Sequence, residues 1–203
     1  MRIIAASQNA HKIKEINEIT SKYGFELVPM NRAGLADLDI EETGTTFEEN
    51  SLIKAETVCR LTGEPAIADD SGLAVDFLNG APGVYSARWA GGHGDDRANR
   101  LKVLDQLQGV PDEQRGAAFV CVITLVFPDG RRLVARGECP GTIAHEEIGE
   151  GGFGYDCIFI PEGYTDTFGI ISAEIKNSIS HRKKALDALS VQLQQQGIDF
   201  SEE

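Results

Sequence analysis

Two adjacent carboxylates, Asp69 and Asp70, follow the short apolar stretch Pro65-Ala66-Ile67-Ala68. Carboxylates delivered at the end of an apolar strand stand where α/β proteins place their sites. Keeping both ionised away from water is expensive without a cation nearby. Hard oxygen ligands suit Mg²⁺, which takes one or two carboxylates and keeps waters and substrate phosphate as its remaining ligands. On that reading Asp70 binds metal and orients or deprotonates a water. The other reading is a turn in which Asp69 or Asp70 bonds its own backbone ahead of Ser71-Gly72. Glu41-Glu42, in an acidic and turn-rich stretch, offers a second metal ligand or simply a solvated loop.

Cations stand where helix electrostatics disfavour them. Ser7-Gln8-Asn9-Ala10-His11-Lys12 joins a first strand to a first helix. A helix N-terminus presents N–H groups and positive potential, so Lys12 in the first turn serves an anion better than it serves the helix. The same holds for Lys176 through Lys184, where His181 and Arg182 open a helix. Arg182 offers planar bidentate recognition and His181 a donor near neutral pH. Gly149 through Asp156 resembles a dinucleotide fingerprint only superficially, because it precedes a strand and opens no helix. Glycines beside Phe153, Tyr155 and Asp156 suit instead the close approach of a flat ligand, or a tight turn that packs Phe153 inward.

The elements that must position these residues follow from periodicity and punctuation. Residues 2–6 read as a strand. Residues 10–23 read as a helix with Ile13, Ile16, Ile19 and Tyr23 on one stripe, and 25–28 as a second strand. Thr45 or Thr46 caps a helix over 47–61, with Glu48 and Glu49 three residues on and Asn50 and Lys54 on one face. Strands at 65–68 and 73–75 are expected to be interrupted by the polar Asp69-Asp70-Ser71. A Gly- and Pro-punctuated loop over 79–94 leads to an Asp95-capped helix with Ala98, Leu101, Leu104 and Leu107 on one face. Residues 117–127 and 131–138 form a hairpin around Pro128-Asp129-Gly130, 157–160 a last strand, and 181–196 a final helix capped by Ser180 and stopped by Gly197. This order predicts an α/β protein: a mixed sheet flanked by helices, with two lobes around a cleft.

The chain has 203 residues, 41% of them hydrophobic, which is ordinary usage for one two-lobed domain over 1–203 with a real core. Its 19 Lys+Arg and 32 Asp+Glu give a net charge of −13, which repels nucleic-acid backbones and anionic lipid. Any phosphate site must therefore be a local cluster of cations and N–H groups. No apolar run reaches membrane length and the N-terminal one is too short for a signal peptide, so a cytoplasmic protein is expected. Four scattered cysteines without a C-x-x-C pair and four scattered histidines indicate neither a zinc knuckle nor a compact disulfide framework. Walker A, G-x-S-x-G and Cys–His signatures are absent.

Taken as a set, S-Q-N-A-H-K at 7–12, E-E-T-G-T-T-F-E-E-N at 41–50 with Lys54, A-D-D-S-G-L at 68–73, G-A-P-G-V-Y-S-A-R at 80–88, G-G-F-G-Y-D at 151–156 and K-N-S-I-S-H-R at 176–182 closely resemble the Ham1/RdgB family of inosine/xanthosine triphosphate pyrophosphatases. The resemblance implies an elongated mixed sheet with two lobes, a homodimer and Mg²⁺ dependence. It also implies hydrolysis of ITP, dITP and XTP to monophosphate and pyrophosphate, which cleanses the nucleotide pool. Carried over, Ser7, Gln8, Asn9, Ala10, His11 and Lys12 form the phosphate loop, and Lys54 lies near the phosphates. Asp70 is the proton acceptor and a metal ligand, Glu41 is preferred to Glu42 as the second ligand, and Ser71 touches substrate. Phe153, Gly154, Tyr155 and Asp156 line the base pocket, Lys176 contacts substrate, and His181 and Arg182 close on the nucleotide. Ser7-Gln8 replaces the commoner Thr-Gly, so Gln8 must manage without a glycine's freedom at positive φ. The competing readings are a Maf-like pyrophosphatase of modified pyrimidine triphosphates and a non-catalytic nucleotide-binding regulator.

Overall fold

A computed structural model describes residues 1–21, 24–92 and 94–196. Tyr23, the Ile19 side chain and Gly197, which figure in the helix expectations, lie outside what it describes. The elements are β1 (Arg2–Ala5), α1 (Ala10–Thr20), β2 (Glu26–Pro29), α2 (Phe47–Thr62), β3 (Ala66–Val75), α3 (Asp96–Gln106), β4 (Gly116–Val126), β5 (Arg132–Ile143), β6 (Phe159–Pro161), α4 (Ala173–Ile179) and α5 (His181–Gln195). Among the described residues the strands form one sheet of order β2-β1-β3-β4-β5-β6. β1 pairs parallel to both β2 and β3, whereas β6 runs antiparallel to β5. The sheet is therefore mixed, as the hairpin and crossover pattern predicted.

Three expectations need correction. The polar Asp69-Asp70-Ser71 does not interrupt a strand: β3 runs unbroken from Ala66 to Val75, so the turn reading of the two aspartates is excluded. A seven-residue helix, α4, precedes the final one; Ser172 caps it by accepting from the Ile175 N–H, and Lys176 belongs to it. In α3 the buried positions are Asn99 and Val103, while Leu101 is exposed. Asn99 wins the inward place because its amide accepts from the Ala90 N–H at 2.7 Å and donates to the Ala87 carbonyl at 3.2 Å. Both polar ends of this buried amide are thereby paired, as polar groups inside a protein must be.

The chain divides into two compact units. The first comprises Met1–Asp70, Cys121–Gly137 and the residues from Arg182 onward; the second comprises Ser71–Val120 and Glu138–His181. In the first unit, Ile3, Ile67, Cys121, Ile123 and Leu125 pack with Ala185, Leu186, Leu189 and Leu193 of α5. Ile4, Ala6, Ala66 and Ala68 pack with Met30 and with Ala55, Val58 and Cys59 of α2. Strand side chains alternate with period two, so the first unit's strands bury one face under α5 and the other under α2. The second unit has its own core, built from Leu73, Val75, Val103, Leu107, Phe119, Ile158, Phe159 and Phe168 among others.

Candidate active site

The alternation along β3 decides what each aspartate meets. Asp69 shares a face with Ile67, on the α5 side, and Asp70 shares a face with Ala66 and Ala68, on the α2 side. Accordingly Asp69 receives Arg182, from the first turn of α5: Nε and Nη2 donate to its Oδ2 at 3.2 and 2.9 Å. Lys12 of α1 lies 3.2 Å from Oδ1. Asp70 receives Lys54 of α2, whose Nζ is 3.3 Å from its Oδ1, 2.8 Å from the Asp69 carbonyl oxygen and 2.6 Å from Glu42. Glu15 closes the group by accepting from Arg182 Nη1. Every one of these residues belongs to the first unit.

The approach of Glu42 is set by α2. Thr46 caps the helix in a full capping box with Glu49. The Glu49 carboxylate also accepts from the Thr45 N–H at 2.6 Å, and Asn50 Oδ1 accepts from the Gly44 N–H at 2.8 Å. A Cβ on Gly44 would overlap Asn50 and Glu49, so only glycine fits there. The acidic loop is thereby pinned two residues after Glu42. Glu41, preferred on sequence, is exposed, whereas Glu42 reaches Lys54.

The neighbouring carboxylates have opposite tendencies. Burial pushes Asp69 up, but Lys12, Arg182 and Lys54 outweigh it and hold the group well below the usual carboxylate range. Burial also pushes Asp70 up, and there Lys54 and Lys12 only partly offset it, so its pKa is raised. Paired groups driven apart in this way divide into a fixed anion and a proton acceptor. Asp70 Oδ2 is buried and makes no hydrogen bond. A buried carboxylate oxygen without a partner is a site for a cation or a water proton. Cys121, 3.7 Å from Asp69, has its thiol pushed up by burial and by that carboxylate, which leaves it unreactive.

In the segment 7–12, Ser7 Oγ accepts from the Asn9 N–H, and Asn9 Oδ1 accepts from the N–H groups of His11 and Lys12 at 3.0 and 3.1 Å. The first turn of α1 is thus capped by Asn9, and the segment offers the Lys12 ammonium. Ala10 and His11 are exposed. Gln8 avoids positive φ, and its amide donates to the carbonyls of Ala36 and Leu38 at 3.3 and 2.9 Å. The side chain that replaces a glycine therefore ties this loop to the acidic one.

In the second unit, Lys176 Nζ lies 2.8 Å from Asp156 Oδ2 and 4.7 Å from the centroid of the Phe153 ring. The same Asp156 oxygen accepts from the Phe153 N–H at 2.8 Å. Gly152 has φ +73°, and a Cβ there would overlap the Asp156 carboxylate. Phe153 is half-buried, while the Tyr155 ring is packed in the core with its hydroxyl donating to the Ser86 carbonyl at 2.7 Å. His181 stacks on Phe119 with centroids 5.0 Å apart. Ser71, on β3, is half-buried. Sequence reading passed over Glu15, and its one signal was its place one turn after Lys12 on the helix that carries it.

Comparison with known proteins places these features in a family. Residues 3–192 match the Ham1 family. A dITP/XTP pyrophosphatase of Streptomyces coelicolor is 51% identical over 193 residues, covering 93% of this chain and 94% of that protein. One from Clostridium perfringens is 47% identical, covering 93% and 95%. Among solved structures, a HAM1 protein from Coxiella burnetii superposes with a TM-score of 0.86 at 41% identity, covering 96% of this chain and 99% of that one.

Proposed function

The chain belongs to the Ham1 family, and we propose that it hydrolyses the deaminated purine nucleoside triphosphates ITP, dITP and XTP to the monophosphate and pyrophosphate. Relatives named dITP/XTP pyrophosphatase, at about half identity over nearly the whole chain, support the substrate class. The observation that carries the mechanism is the buried Asp70 Oδ2, without a hydrogen-bond partner beside a lysine-bridged acid cluster.

Charge bookkeeping supports a metal requirement. Lys12, Lys54 and Arg182 face Asp69, Asp70, Glu42 and Glu15, which leaves the cluster one negative charge in excess. A triphosphate cannot enter such surroundings unaccompanied. Asp70 and Glu41 would hold Mg²⁺, as hard carboxylate ligands that leave room for waters and phosphate oxygens, while the neighbouring Glu42 is engaged by Lys54. When bound, Mg²⁺ supplies charge neutralisation to the phosphates and the leaving pyrophosphate.

The protein's own residues do the rest. Lys12 and Lys54 draw in the phosphates, and Arg182 keeps Asp69 ionised so that Lys12 stays extended over it. Asp70 takes a proton from water at Oδ2 as the water oxygen attacks the α-phosphorus and the α–β bridging bond breaks. The proton passes to solvent when the monophosphate leaves. Phe153 and Asp156, with Lys176 between them, are assigned to the base, Tyr155 and Gly154 to shaping that loop, and Ser71, His181 and the remaining phosphate-loop residues to closing on the nucleotide. Hypoxanthine and xanthine carry a 6-oxo acceptor where adenine carries an amino donor, so a donor lining rejects adenine. A homodimer acting in the cytoplasm, where these nucleotides arise, completes the proposal. Among the described residues no helix is long and apolar enough to cross a membrane.

The test is product release from ITP, dITP, XTP, GTP, ATP, CTP and UTP, each with Mg²⁺ and with chelator. Mg²⁺-dependent cleavage of ITP and XTP to monophosphate and pyrophosphate is expected. Pyrimidine preference would move the chain to the Maf-like reading, and binding without turnover would make it a regulator.

A further inference from the structure

The glycine-rich loop of the second unit is gripped by a helix that none of the motifs above includes. Asp96 and Arg100 lie four residues apart on α3, hence on one face. Asp96 Oδ2 accepts from the Gly154 N–H at 3.0 Å, and Arg100 Nη1 donates to the Gly154 carbonyl at 2.9 Å. One glycine thus has its donor and its acceptor both taken by charged side chains of the same helical face. Charge-assisted bonds of this kind are roughly twice as strong as neutral ones.

The grip is itself braced. Arg100 Nε donates to Glu147 Oε1 at 2.7 Å, so the guanidinium fork is fixed before it meets Gly154. The helix is held by the fully buried Asn99, bonded to Ala87 and Ala90. Gly154 needs this help, because at φ +58° between two other constrained positions its backbone has no regular ladder to join. On either side of it, Phe153 faces Lys176 and Tyr155 is anchored through its hydroxyl on Ser86.

We infer that Asp96 and Arg100 are positioning residues for base recognition: by holding both polar groups of Gly154 they fix where Phe153 and Asp156 stand when a purine arrives. This rests on the reading that the loop at 151–156 meets the base. Neither residue is among those assigned to the phosphates, so the effect belongs to nucleotide affinity and leaves the chemical step alone. Lysine cannot replace Arg100, since one ammonium cannot reproduce a fork that serves Glu147 and Gly154 together. Asparagine can replace Asp96, since its carbonyl oxygen still accepts the Gly154 N–H.

The experiment compares D96A, D96N and R100K with the unaltered enzyme. KM and kcat are measured for ITP, together with the inhibition constant of inorganic tripolyphosphate, which has no base. Losing one such bond is expected to raise KM for ITP about fivefold in D96A and R100K, with kcat and the tripolyphosphate constant unmoved and D96N close to the unaltered enzyme. A KM that stays put in both, or a rise shared by tripolyphosphate, overturns the inference. Hydrogen exchange at the Gly154 amide reads the grip without any turnover: it is expected to speed up in D96A and not in D96N, and unchanged exchange in D96A overturns it. Should the unaltered protein fail to cleave ITP, the functional reading falls by itself while the exchange measurement still decides the grip.

Discussion

At the scale of single residues, the site turns on two aspartates that are adjacent in sequence and opposite in role. Asp69 sits among three cations and serves as a permanent anion; Asp70 keeps one oxygen unpartnered and a raised pKa. Because the folded pKa of Asp70 lies above its unfolded value, its ionisation opposes folding at neutral pH, and that penalty is relieved as pH falls through the folded pKa. Asp70→Asn removes the penalty and, on the proposed mechanism, the base together. The variant is expected to lose about 10³-fold in kcat, to bind nucleotide still, and to unfold at higher urea concentration with the slope unchanged, measured at neutral pH in chelator. A carboxylate pair after an apolar strand was legible in the sequence. The sequence singled out Asp70 as the metal- and water-binding member; what holds Asp69 beside it was not legible, because Lys12 and Arg182 reach it from other parts of the chain.

Elements carry the next part of the account. The alternation of β3 sends Asp69 to α5 and Asp70 to α2, and the sequence held this pattern in Ile67 against Ala66 and Ala68. Reading Asp69-Asp70-Ser71 as a break hid it, since three polar residues in a row look like a turn until their cations are seen. The capping of α2 by Thr46 and Glu49 was legible from spacing alone. What Glu41 and Glu42 each meet was not, because it depends on how Asn50 and Glu49 fasten the loop at Gly44 and Thr45. Glu41→Gln is expected to raise the Mg²⁺ concentration needed for half-maximal rate at least about tenfold, in line with the loss of a direct ligand. Glu42→Gln, at a carboxylate engaged by Lys54, should shift it less, and metal titration of the two variants separates them. α4 escaped notice because seven residues carry too little periodicity to read.

For the molecule as a whole, a net charge of −13 has to be reconciled with a highly anionic substrate. The cluster in the first unit is not a cationic patch, since its carboxylates outnumber its cations. Arg182, which the sequence assigned to the nucleotide, is bonded to Asp69 and Glu15 inside the first unit. Approach of nucleotide is accordingly opposed by the field of the whole protein, and kcat/KM at saturating Mg²⁺ is expected to rise as ionic strength increases from about 0.01 to 0.15 M, where that field is screened. The central claim is that an Asp70-activated water attacks the α-phosphorus of a deaminated purine triphosphate. Its most direct test is hydrolysis of ITP in ¹⁸O-labelled water, followed by mass analysis of both products. The account predicts label in the inosine monophosphate and none in the pyrophosphate, whereas label in pyrophosphate would place the attack on the β-phosphorus and contradict it.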